Sequence, residues 1–136
     1  MPMIDVYARP GTFAAPAALA ARLAATLMEV EGVPPIPLFR QNTAAFVHDA
    51  TFANVDGDDD RVRVQVITNA GALDRDKQLA AVRRLTDVVA EAAGDPALAD
   101  RTWVLLTETY DGGWGIGGHA NTNAELIDLA RAQLSG

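Results

Sequence analysis

The chain has 136 residues, of which 49% are apolar and 21% charged, so it is long and apolar enough for one domain with a real core and is not a disordered segment. Eleven basic against eighteen acidic residues give a net charge of −7, which argues against nucleic acid or an anionic membrane surface as partner, since both need a basic face. Cysteine is absent, Ser135 is the only serine and Lys77 the only lysine, which removes disulfides, thiolate and serine nucleophiles and a phosphate-binding lysine loop.

Residues 3–8 alternate as a strand, and Pro10 and Gly11 punctuate it. From Pro16 a helix is expected, with Leu19, Leu23, Leu27 and Val30 on one stripe and Gly32 at its end. Residues 43–48 read as a second strand. The run Asp56-Gly57-Asp58-Asp59-Asp60 lacks the spaced ligands of a calcium loop and reads as a solvated linker. The pattern then restarts: a strand from Val62, Gly71, a helix capped by Asp74 with Leu79, Val82, Leu85 and Val89, a stop at Gly94 and Pro96, and a strand at 103–107. Gly112 to Gly118 form a glycine-rich stretch, and Thr122 with Glu125 makes a capping box that opens a last helix reaching residue 134.

The expected fold is α+β: two fused β-α-β repeats, about 2–55 and 61–118, joined by the linker 56–60 in a single domain over 1–136, with a C-terminal helix at 122–134. Gly11 and Gly71 set the repeat offset at 60 residues. Two such units make a four-stranded sheet with both helices on one face. The other face needs a cover, which predicts a closed symmetric oligomer.

Gly113-Trp114-Gly115-Ile116-Gly117-Gly118 matches GxGxxG, but too little chain follows for the second strand of a dinucleotide site, and a glycine-rich hairpin is the better reading. His48 and His119 lie far apart in sequence, and no metal site is expected. Pro2 follows Met1. Removal of the initiator methionine would leave a secondary amine at the head of a strand, and such an amine is a general base if burial lowers its pKa.

Together, Met1-Pro2 running straight into a strand, Gly11, the second-half pattern Gly71, Asp74, Lys77, Thr107-Glu108, and the block Trp114-Gly115-Ile116-Gly117-Gly118 resemble the tautomerase superfamily, typified by 4-oxalocrotonate tautomerase, in its long form with two fused repeats. The resemblance covers most of the chain. It implies a cofactor-free keto–enol tautomerase of small 2-oxo acids or their enols, assembled as a homotrimer, with Pro2 as general base. It puts Arg40 on the substrate carboxylate and makes Trp114 an apolar wall, although the residues alone equally fit a surface arginine and a packed tryptophan. The second arginine of the pattern is replaced by Thr12, with Arg9 nearby as a substitute; its second-half counterpart is Ala72, three residues after Asn69. Tyr110 and Asn69 are further candidates for the site. A hydratase, dehalogenase or decarboxylase of the same superfamily needs a side chain that activates water, and Glu29, Glu31 and Glu108 are the carboxylates considered. A catalytically silent trimer that binds a metabolite or a protein is the remaining alternative. The small carboxylate substrate, the absence of a cofactor and a cytoplasmic location, given no signal-like or membrane-spanning run, complete the expectation.

Overall fold

The computed structural model describes residues 1–136. Four strands, β1 (Met3–Ala8), β2 (Ala44–Asp49), β3 (Val62–Thr68) and β4 (Thr102–Glu108), form one sheet in the order β2-β1-β3-β4. β1 runs parallel to β2, and β3 parallel to β4, while β1 and β3 meet antiparallel along the seam between the two repeats. The second strand begins one residue later than its sequence pattern suggests.

Helices α1 (Pro16–Glu31) and α3 (Arg75–Ala93) cross between the parallel strands and pack on one face. Alternation decides which strand residues meet them: Ile4, Val6, Val62, Val64 and Val66 are fully buried, as period-two geometry requires. The stripe Leu19, Leu23, Leu27 of α1 meets Leu85 and Val89 of α3, and seventeen buried residues from both repeats form one core. Asp74 caps α3 through its side chain, accepting from the Lys77 amide at 2.9 Å. No helix is long and apolar enough to cross a membrane.

On the opposite face Met3 and Ile67 pack against the Trp114 cluster, but the middle of that face is left open within the chain. Its middle row reads Phe46, Asp5, Gln65, Leu105 across the four strands, and Phe46 and Leu105 are 53% and 46% exposed.

Three pieces were absent from the sequence reading or only sketched there. α2 (Pro37–Gln41) is a single turn started by Pro37, and a 3₁₀ segment, Pro96–Arg101, leads into β4. The glycine block is a hairpin of β5 (Trp114–Ile116) and β6 (His119–Asn121), turned by Gly117 and Gly118 with φ of 59° and 86°. Two consecutive positive φ values define a tight primed turn that glycine adopts without strain. The hairpin delivers the chain to α4 (Asn123–Ser135), opened by the Thr122–Glu125 capping box, and α4 returns to α2 through a bond from the Leu38 amide to Gln133 Oε1 of 2.8 Å.

Leu23 sits at 0% exposure between the two helices and the sheet. Leu23→Ala should cost about 2–5 kcal/mol, read as a lower urea midpoint with an unchanged m-value. A midpoint equal to that of the wild type would contradict this packing.

Candidate active site

The seam between β1 and β3 determines what surrounds the N-terminus. Met3 lies opposite Ile67, so the head of β1 falls beside the tail of β3, and Thr68 and Asn69 arrive next to Met1. Glu31, the last residue of α1, reaches the same place because it follows Leu27 by four residues on the buried stripe. The amide of Ala44 donates to the Pro2 carbonyl at 3.2 Å, which joins the head of β2 to this end of the sheet. α4 closes one side.

The result is a cavity of about 500 Å³ lined by Met1, Glu31, Asn69, Lys77, Asn123 and Arg131, with apolar walls from α2 and α4. The Met1 ammonium donates to Glu31 Oε1 at 3.5 Å and to Asn69 Oδ1 at 3.4 Å. Thr68 donates its hydroxyl to Glu31 Oε2 at 3.2 Å. Asn69 is held by Asn123, whose own amide donates to the Ala70 carbonyl at 2.9 Å. Lys77 Nζ donates to the Glu31 carbonyl at 2.9 Å, which sets a positive charge at the mouth of the pair. Met1 is 2% exposed and packs in a second cluster with Leu38, Trp114, Leu126 and Ala130.

Burial dominates the acid–base behaviour. It pushes the Met1 amine below its ordinary value, and the Glu31 carboxylate opposes that shift. It pushes the Glu31 carboxyl above its ordinary value, against the opposing effects of the N-terminal charge and the Thr68 hydroxyl. Both shifts run toward the uncharged forms, which brings an amine and an acid toward exchanging one proton. With Met1 in place, the basic nitrogen is that of Met1, and Pro2 nitrogen is a buried tertiary amide.

Of the residues singled out from sequence, the structure brings Pro2, Asn69 and Trp114 to this end of the sheet. Asn69 touches the amine, and Trp114, 6% exposed, shares the apolar cluster of Met1. Arg40 is exposed on α2 beside Phe39, outside the cavity lining. Tyr110 is 91% exposed. Arg9 follows the far end of β1, where it pairs with Asp60 at 3.3 Å. Lys77, Asn123 and Arg131 line the cavity without having been assigned to it, and Glu31 was only one of three carboxylates considered. The signal for Glu31 was available: an acidic residue continuing a buried leucine stripe is out of place unless it is paired.

No family model matches the chain, and no curated protein matches it in sequence. Solved structures do match in fold. Macrophage migration inhibitory factor from Oncomelania hupensis superposes with a TM-score of 0.75 at 15% identity, covering 99% of this chain and 92% of that one. A symmetric trimer of the Q0 fused 4-OT gives 0.73 at 17% identity, covering 90% and 97%. N1, a member of the cis-3-chloroacrylic acid dehalogenase family, gives 0.71 at 15% identity, covering 98% and 99%. The chain therefore has the fold that macrophage migration inhibitory factor, fused 4-OT and the cis-3-chloroacrylic acid dehalogenase family share.

The two shifts make a prediction for chains whose intact mass includes Met1. A carboxyl with a raised folded pKa stabilises below its unfolded value and loses that contribution as pH rises through the folded value; an amine with a lowered folded pKa stabilises above its unfolded value and loses that as pH falls. Glu31→Gln deletes the first contribution and, by removing the counter-charge, deepens the second. Wild type should therefore gain stability relative to Glu31→Gln as pH falls from 8.0 toward 4.5, the ordinary values of the two groups. A pH-independent difference in urea midpoints would contradict the buried pair.

Proposed function

We propose that this protein is an acid–base enzyme acting on small 2-oxo acids or their enols, a keto–enol tautomerase in which the N-terminal amine is the base. The observation that carries the reading is the Met1 amine, one residue ahead of Pro2, buried in a cavity of about 500 Å³ beside Glu31 and Asn69. In the processed chain the base is Pro2. Removing Met1 frees the Pro2 nitrogen and vacates the place between Trp114, Leu38 and Leu126 that the Met1 side chain fills. The amine then takes the proton from the enol hydroxyl and returns it to the neighbouring carbon, and no cofactor is required for that transfer.

The carboxylate of the substrate needs a cation. Arg131 on α4 and Lys77 on α3 are the cations that line this cavity. Arg40 and Arg9 would serve it only from neighbouring protomers. The uncovered row of Phe46 and Leu105 supports such an assembly, and the proposal includes a homotrimer built over that face. Trp114 is the apolar wall that keeps the amine dry, with Asn69 orienting it.

One observation favours a second reading. Glu31 is a buried carboxylate whose affinity for a proton is raised, which is the property of a general base for water. A hydratase, dehalogenase or decarboxylase would use Glu31 in that role. Chloride release from 3-chloroacrylic acid, abolished by Glu31→Gln, would favour it over tautomerisation.

With Met1 removal confirmed by intact mass, ketonisation of phenylenolpyruvate should fall in kcat/KM for Pro2→Ala, because a primary amine without the ring replaces the fixed secondary amine; the loss is bounded by the about 10²–10⁴ that a positioned general base contributes. Arg131→Gln should raise KM with a smaller change in kcat, because the lost contact is made to ground state and transition state alike. Equal, background-level rates in wild type and Pro2→Ala would remove the tautomerase reading.

A further inference from the structure

The offset of 60 residues that carries Gly11 onto Gly71 also carries Met1 onto Arg61 and Arg9 onto Asn69. The backbone repeats accordingly: the Arg9 carbonyl accepts from the Thr12 amide at 3.2 Å, the Asn69 carbonyl accepts from the Ala72 amide at 3.2 Å, and the two glycines have φ of 84° and 76°. The sheet therefore has two equivalent ends. At one, the free amine sits beside Asn69. At the other, where the chain is continuous and offers no amine, the same places hold Arg61 and Arg9.

This second end is also hollow. A cavity of about 390 Å³ is lined by Arg9, Arg61, Arg63, Tyr7, Phe52 and Trp103. The strand register supplies it: the last row of the open sheet face reads His48, Tyr7, Arg63, Trp103. Tyr7 stacks on His48 with ring centres 4.6 Å apart, and His48 Nε2 is fixed by Asp5 at 2.7 Å. The Arg63 guanidinium lies 4.5 Å from the centre of the Tyr7 ring, and that of Arg61 lies 5.3 Å from the centre of the Trp103 ring. Phe52 tilts against Trp103 at 5.8 Å. Three guanidiniums and three aromatic rings thus converge on a chain whose net charge is −7.

We propose that this end of the sheet is a non-catalytic binding site for a small carboxylate with a flat apolar body. The acidic linker already shows the recognition. Asp59 accepts from Arg61 Nε at 2.8 Å, and Asp60 pairs with Arg9 at 3.3 Å, so carboxylates of the chain itself occupy two of the three guanidiniums. Arg63, which neither acid takes, remains over Tyr7. These pairs are solvent-exposed and therefore weak, so an incoming carboxylate can displace them while its apolar body rests on Trp103 and Phe52. The linker is an internal competitor, and its acids tune the affinity. The site uses neither Pro2 nor Glu31, and of its residues only Arg9 is shared with the catalytic reading, which would take it from a neighbouring protomer.

The two tryptophans make the test direct, because Trp103 belongs to this cavity and Trp114 to the N-terminal end. Benzoate is titrated into the full-length protein while both indole N–H signals are followed by ¹H–¹⁵N NMR, assigned through Trp103→Phe. The Trp103 signal should move and saturate. Arg61→Gln/Arg63→Gln should weaken that response at least tenfold with the free-state Trp114 signal unchanged, which shows the fold is intact. Asp59→Asn/Asp60→Asn should tighten it several-fold. A shift at Trp114 alone, a non-saturating shift at Trp103, or an affinity untouched by the arginine variant would overturn the proposal. Inorganic phosphate binding as tightly as benzoate would overturn the assignment of an apolar body.

Discussion

β1 and β3 run antiparallel, with Met3 opposite Ile67 and Tyr7 opposite Arg63, and this seam places every other functional feature. It puts the head of each repeat's first strand against the tail of the other's. A cavity therefore forms at each end of the sheet, lined by residues from both repeats. α1 ends at the N-terminal opening and α3 begins there, so Glu31 and Lys77 both reach it. One repeat alone would have neither the shared core nor a complete pocket. The seam is thus a constraint on chemistry as well as on packing.

The two ends have diverged in a way that electrostatics explains. Only one end owns a chain terminus, and a terminal amine is the one amine in the molecule that burial can tune without a long flexible side chain. Its partner must be acidic to tolerate the burial, and Glu31 supplies that at the cost of its own desolvation. Thr68 and Asn69 then hold the pair by hydrogen bonds and Asn123 holds Asn69, so little reorganisation is needed when a proton moves. The other end has a continuous backbone and is lined instead by permanently charged guanidiniums, which bind anions and exchange no protons.

Much of this was legible in the residues. Strict alternation gave β1 and β3 because one face of each strand is fully buried, and the leucine stripe gave α1 for the same reason. The capping residues Asp74 and Thr122 marked where α3 and α4 begin, since their side chains satisfy amides that no other group reaches. β2 was placed one residue early because Ala44 to Asp49 are nowhere fully buried and its pattern is weak. α2 is too short for any periodicity to register. The site was only half legible: the terminus could be named from its position and Asn69 only through the family resemblance, whereas Arg131 and Asn123 are brought in by α4, whose docking includes a tertiary contact through Gln133. Arg9 illustrates the limit. Its distance from Pro2 within one chain is the length of β1, and only the strand geometry discloses that it belongs to the opposite end.

The central claim is that burial turns the N-terminal amine into a base. It is tested most directly by the titration midpoint of the Pro2 nitrogen in ¹⁵N-proline-labelled protein lacking Met1, measured by NMR beside a free peptide that begins with the same residues. The account predicts a midpoint in the folded protein clearly below that of the peptide. A midpoint equal to or above the peptide's would contradict it, because the amine would then be protonated and solvated where the mechanism requires it dry and free.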